Sequence, residues 1–188
     1  MLVDWERSGR DLSKEERAAY KQLSYVYKHA FYAFLMGDRP QSLTAIADSP
    51  VGLAVFLLGQ DLFGTPAVRG DAKSPDLIAR AFAGQPGGLS RDDVLDSMTL
   101  FWLTNSGVSA ARVYWENKVP FFAVKGVTVP VAVSVFPDEI YQPPRSWAER
   151  AYPNLVHYNR LTAGGHFAAW EQPDLLVDEV RAGLRSLR

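Results

Sequence analysis

Val129-Pro130-Val131-Ala132-Val133-Ser134-Val135 decides the fold class. Its β-branched residues run almost without polar alternation and Pro130 stands near the start, the pattern of a parallel strand covered on both faces. Asn154 to Leu161 reads as a second strand, and Pro143-Pro144 between the two leads into a short helix around Trp147. Next comes Gly164-Gly165-His166-Phe167-Ala168-Ala169-Trp170-Glu171-Gln172-Pro173, a glycine turn that presents one histidine and runs into a helix. Pro173 opens a last amphipathic helix with Leu176, Val180, Leu184 and Leu187 on one face. Strand, loop, helix, strand, loop, helix is the rhythm of an α/β sheet edge.

Upstream of Lys118 the chain reads as helical, with no strong strand signal. Ser13-Lys14-Glu15-Glu16 is a capping box, followed by Tyr20, Leu23, Tyr27, Phe31 and Phe34 at helical spacing. Gly37-Asp38-Arg39-Pro40 stops that helix. Ser49 caps a second one, with Pro50 at its first position and Val51, Ala54, Val55 and Leu58 along one face. Ser74-Pro75 begins a third in the same way, and Gln85-Pro86-Gly87-Gly88 is a turn. Ser90 with Asp93 starts a long helix through Trp102, and a break around Asn105-Ser106-Gly107 separates it from a helix carrying Tyr114 and Trp115.

At 188 residues and 47% hydrophobic content the chain can bury a real core. Its 20 basic and 21 acidic residues are spread, giving no electrostatic reason to expect nucleic acid or anionic lipid as a partner. The absence of cysteine excludes disulfides and thiolate chemistry and fits a cytoplasmic location. The longest apolar stretch, Val51 to Gly59, is too short to span a bilayer, so no membrane contact is expected. Residues 1–20 are charged and lack the apolar run of a secretory signal. Trp102 and Trp115 fit a pocket lining and core packing equally. No metal-ligand cluster or phosphate loop stands out, so neither metal nor cofactor is expected.

An acidic pair, Asp138-Glu139, follows the first strand, and Glu139 lies 27 residues before His166. A carboxylate and a histidine on successive strand-end loops are two of the three parts of a hydrolase triad. The third part needs a nucleophile on a sharp strand-to-helix elbow. Gly59-Gln60-Asp61-Leu62-Phe63 lacks the second glycine of such an elbow. Gly107-Val108-Ser109-Ala110-Ala111 is nearer, and Ser109, Glu139 and His166 follow a hydrolase chain order, yet no strand pair precedes Ser109. His29 and His157 read as structural.

These residues resemble the epoxide hydrolases of the α/β-hydrolase fold, specifically the branch similar to the microsomal enzyme. Gly164-Gly165-His166-Phe167-Ala168-Ala169 matches the motif of the family's catalytic histidine, and Phe136-Pro137-Asp138-Glu139 the loop of its acid, with Glu139 on the acidic position. Arg39-Pro40-Gln41-Ser42-Leu43 and Asp48-Ser49-Pro50-Val51-Gly52-Leu53-Ala54 look like the cap signature. In that register Tyr32 and Tyr114 fall on the two tyrosines that grip the oxirane oxygen, while Leu35-Met36 departs from the more polar residues of relatives.

The resemblance implies a partial α/β-hydrolase fold: a helical cap over residues 1–118, then the last two parallel strands and helices of the sheet domain over 119–188. It implies opening of a small apolar epoxide to a vicinal diol, with water as cosubstrate and no cofactor. An aspartate carboxylate forms an alkyl ester, two phenols stabilise the opening alkoxide, and histidine then activates water to hydrolyse the ester. The match corresponds to the C-terminal half of a family member, so the nucleophilic aspartate and oxyanion loop belong to the half that would precede residue 1. Two parallel strands also leave edges and faces uncovered. A homo-oligomer or a separate N-terminal half chain is therefore expected. The alternatives are an inactive truncated remnant or partner subunit, and a serine esterase using Ser109.

Overall fold

Ser13 Oγ accepts a hydrogen bond from the Glu16 amide at 3.1 Å, and the Glu16 carboxylate accepts from the Ser13 amide at 2.9 Å. This reciprocal cap starts helix α1, Lys14–His29. The structure, a computed structural model, describes residues 11–59, 77–84, 89–117 and 126–187. Four features expected from the sequence lie outside those residues: the Ser74-Pro75 cap, the turn at Gln85 to Gly88, Gln60 to Phe63, and the boundary at Lys118. The chain divides into two compact units, Met1–Tyr27 with Val124–Arg188, and Lys28–Ala123.

The second unit is helical. It holds α2 (Phe31–Asp38), a 3-10 stretch (Pro40–Ala47), α3 (Pro50–Leu58), α4 (Leu77–Phe82), α5 (Arg91–Leu103) and α6 (Arg112–Glu116). Ser49 caps α3 by accepting from the Gly52 amide at 3.1 Å, with Pro50 supplying the first helical position. Ser90 and Asp93 form a complete capping box on α5. Met36, Leu43 and Ala111 make a buried cluster against which Tyr32, Leu35 and Tyr114 pack.

One expectation fails here. The stripe from Tyr20 to Phe34 is not one helix, because the backbone leaves helical geometry at Ala30 (ψ 46°) and restarts at Phe31. Helical phase is lost there, so Phe31 and Phe34 are exposed while Ala33 and Met36 are buried. On α3, Val51, Ala54, Val55 and Leu58 share one face as expected; Val51 and Val55 are exposed, and Leu53 is buried on the other side. The exposed side of α3 faces α5 across a groove of about 430 Å³ lined by Val51, Val55, Leu95 and Trp102 among others.

In the first unit β1 (Val131–Val135) and β2 (Leu155–Arg160) pair in parallel, with Val133 opposite Tyr158 and Val135 opposite Arg160. The crossover contains α7, Arg145–Ala151, which starts directly after Pro144. Beyond β2 come α8 (Ala168–Glu171) and α9 (Pro173–Gly183). A mostly helical chain with a small two-stranded parallel sheet is the partial α/β-hydrolase arrangement expected.

Within this unit α1 as far as Tyr27 is tied to the elements around the sheet: Arg160 reaches Glu15 at 2.7 Å, and Glu16 accepts from Ser146 at 2.8 Å and from Arg150 at 3.2 Å. The Ser13 amide and the Ser146 hydroxyl hold the Glu16 carboxyl down at about 2. On α9 the sheet side is formed by Glu179 and Gly183, while Val180 and Leu184 are about half exposed. Glu179 accepts from Ser134 and Asn159, each at 2.7 Å, and meets His157 Nε2 at 3.0 Å. Burial alone would raise this carboxyl, but the three donors outweigh it and hold it below the usual range. His157 is therefore tied to a buried carboxylate between strand and helix.

Candidate active site

The loop after β1 and the turn after β2 are joined backbone to backbone. The Leu161 amide extends the ladder to the Val135 carbonyl at 2.9 Å, and the Asp138 amide donates to the Gly164 carbonyl at 3.1 Å, so that Asp138 and Gly165 form an isolated parallel bridge. This closeness requires the glycines. Gly164 has φ +92°, a conformation that side chains disfavour, and a Cβ on Gly165 would sit 2.8 Å from Asp138 Cβ and 3.0 Å from its carbonyl oxygen.

From these joined loops Glu139 and His166 meet. His166 Nδ1 lies 3.0 and 3.1 Å from the two Glu139 carboxylate oxygens, and Glu139 Oε1 also accepts from the Ile140 amide at 2.7 Å. A carboxylate can only accept, so the neutral imidazole carries its proton on Nδ1 and keeps a lone pair on Nε2. The His166 side chain is 38% exposed, enough for water to reach the ring. Phe167 meets it edge to face at 5.1 Å, and its backbone amide donates a hydrogen bond to Glu171 Oε1 at 3.0 Å. An acceptor nitrogen fixed by an anion is the arrangement a general base needs.

The other two predicted site residues meet in the helical unit. Tyr32 on α2 and Tyr114 on α6 pack edge to face with ring centroids 5.8 Å apart. Burial, followed by the nearby Tyr114 phenol, pushes the Tyr32 hydroxyl well above its ordinary value. Tyr32 thus remains a protonated donor throughout the neutral range.

Ser109 does not stand on an elbow. It opens a 3-10 turn (Ser109–Ala111) after a helical Val108, and its hydroxyl donates to the Ser106 carbonyl at 3.2 Å. Among the described residues the non-glycine with positive φ is Asn105, so Ser109 lacks the strained turn that exposes a nucleophile. Trp102 lines the groove between α3 and α5, and Trp115 is about half exposed. No described group of three or more metal-ligating side chains comes together, and no described helix is long and apolar enough to cross a membrane. The Glu179 cluster escaped the sequence reading because its four members carry no shared spacing or motif.

No family model matches the chain. A protein of Stigmatella aurantiaca with the provisional name epoxide hydrolase is 39% identical over 180 residues, which cover 95% of this chain and 38% of that protein. Epoxide hydrolase 1 of Sus scrofa is 32% identical, over 93% of this chain and 39% of the relative. The solved structure of Aspergillus niger epoxide hydrolase superimposes with a TM-score of 0.70 at 23% identity, over 95% of this chain and 42% of that one; at this identity the likeness speaks for the fold. By sequence and by fold, then, the chain is similar along nearly its whole length to epoxide hydrolases, and it spans about two fifths of the length of the relatives it matches.

Proposed function

We propose that this chain is the cap and last-strand portion of an epoxide hydrolase of the microsomal-like branch, turning small apolar epoxides into vicinal diols. In this reading a carboxylate supplied from outside the described residues attacks an epoxide carbon, and the carbon–oxygen bond that breaks leaves an alkoxide. Tyr32 and Tyr114 donate hydrogen bonds to that oxygen and supply its proton. Water, deprotonated by His166 Nε2, then attacks the ester carbonyl and releases the diol. Glu139 holds the ring and stabilises the imidazolium that forms. General-base catalysis of this kind contributes on the order of 10² to 10⁴ in rate.

The observation that carries the reading is the two-oxygen contact of Glu139 on His166 Nδ1. The edge-to-face contact of Tyr32 and Tyr114 supports it as well, since two phenols side by side can donate to one oxygen. A cytoplasmic location belongs to the same reading and rests on the cysteine-free sequence.

The test is to co-express the chain with the N-terminal half of a related epoxide hydrolase and to measure diol formation from styrene oxide. Activity is expected from the complemented pair and not from its His166→Ala version. Failure to complement, or activity that survives His166→Ala, overturns the reading in favour of an inactive remnant or a partner subunit.

A further inference from the structure

The loop carrying Glu139 has no continuous ladder of its own, yet it holds a carboxylate on an imidazole that belongs to another loop. The Asp138–Gly165 bridge fixes it on one side. On the other side stands Gln142, half-buried, with three polar groups engaged at once. Its side-chain amide donates to the Pro137 carbonyl, closing the loop on itself with Glu139 between the two ends. Its Oε1 accepts from Arg160 Nη2 at 3.1 Å, and its backbone amide donates to Gln22 Oε1 of α1 at 3.0 Å. Arg160 is held in turn by Glu15 at 2.7 Å. The amide orientation is forced: a guanidinium only donates, so the oxygen faces Arg160 and the NH₂ group faces the Pro137 carbonyl.

We propose that Gln142 is the positioning residue of the acid loop, coupling α1 and the end of β2 to the placement of Glu139 on His166; this rests on the reading of that pair as base and orienting acid. Gln142 acts through the loop backbone, with its hydrogen bonds running to Pro137, Arg160 and Gln22. Two geometric requirements follow. The side chain must offer a donor to Pro137 and an acceptor to Arg160 at the same time. Gln142→Ala removes both, whereas Gln142→Glu keeps the acceptor and the volume but sets a carboxylate oxygen against a carbonyl.

The measurement is the tautomer of each histidine ring in the ¹⁵N-labelled full chain, read from long-range ¹H–¹⁵N spectra well above the ordinary imidazole range. The chain has three histidines, and two of them face carboxylates through opposite nitrogens. His166 is expected as the Nδ1–H form and His157, through Glu179, as the Nε2–H form, so His157 reports independently that the unit is folded. Gln142→Ala and Gln142→Glu are both expected to lose most of the Nδ1–H signature of His166, as Glu139→Ala does, with His157 unchanged. If Glu139→Ala moves the His166 signals and neither Gln142 variant does, the role of Gln142 is overturned. If Glu139→Ala itself leaves them in place, the reading of the pair fails instead. If both Gln142 variants disturb His157 as well, Gln142 is a general support of the unit and the proposal is wrong.

Discussion

Gly165→Ala would drive a methyl group into Asp138, whose nearest atoms lie 2.8 to 3.1 Å from the place it would occupy. The contact is with backbone and Cβ, which cannot swing aside, so the loops must part. The expected outcome is a loss of about 1–3 kcal/mol in denaturant unfolding together with a broken His166–Glu139 contact. A second prediction concerns Tyr32. Its hydroxyl ionises later in the folded chain than in the unfolded one, so the folded state gains stability that is fully present below pH about 10 and is lost as pH rises through the folded value. Tyr32→Phe should remove one late-ionising phenol from an ultraviolet titration and soften the alkaline loss of stability. Tyr141, pushed up to about 12 by burial and by Tyr152 and Tyr158, is the internal reference that stays. His166 and Glu139 were legible because a glycine turn and a strand-end acid carry local signatures. Glu179 was not, since an acid in an amphipathic helix looks like any solvated one until its strand partners are known.

At the level of elements, start signals proved the most readable, for they depend on neighbours three residues apart. Ser13, Ser49 and Ser90 all cap the helices they precede. Ser90→Ala should cost about 0.5–2 kcal/mol in thermal or denaturant unfolding. The interruption at Ala30 was unreadable, because no glycine or proline marks it and the apolar spacing runs straight through. The sheet-facing side of α9 was illegible for a different reason. A hydrophobic stripe tells which side prefers cover, whereas the contact actually made is set by the close approach of Gly183 to Ala132 and by the bonds of Glu179 to both strands. Those bonds make a fourth prediction, and its sign is definite. The Glu179 carboxyl is held low in the fold, so its contribution is present above the ordinary carboxyl value near 4.3 and is lost as pH falls through the lowered one. Glu179→Gln should flatten the acid limb of a stability–pH curve while lowering stability near neutrality.

Over the whole molecule, the change from helical to strand-bearing sequence was visible, but the pairing of α1 with the end of β2 was not. Glu15 and Arg160 are 145 residues apart in sequence, and pairing at that distance leaves no trace in local composition. Val177, Val180, Leu184 and Leu187 leave a run of apolar surface along the C-terminal helix and the 3-10 turn after it. Concentration-dependent self-association of the isolated chain is therefore expected in sedimentation velocity, and Val180→Glu with Leu184→Glu should reduce it. The Asp138–Gly165 bridge has a dynamic consequence. Imidazole and carboxylate are carried by loops that this bridge joins, so a breathing motion that lifts either loop carries the other along and leaves their separation little changed. The Asp138 amide proton then becomes a clock: its exchange with deuterated solvent counts the occasions on which the two loops truly come apart.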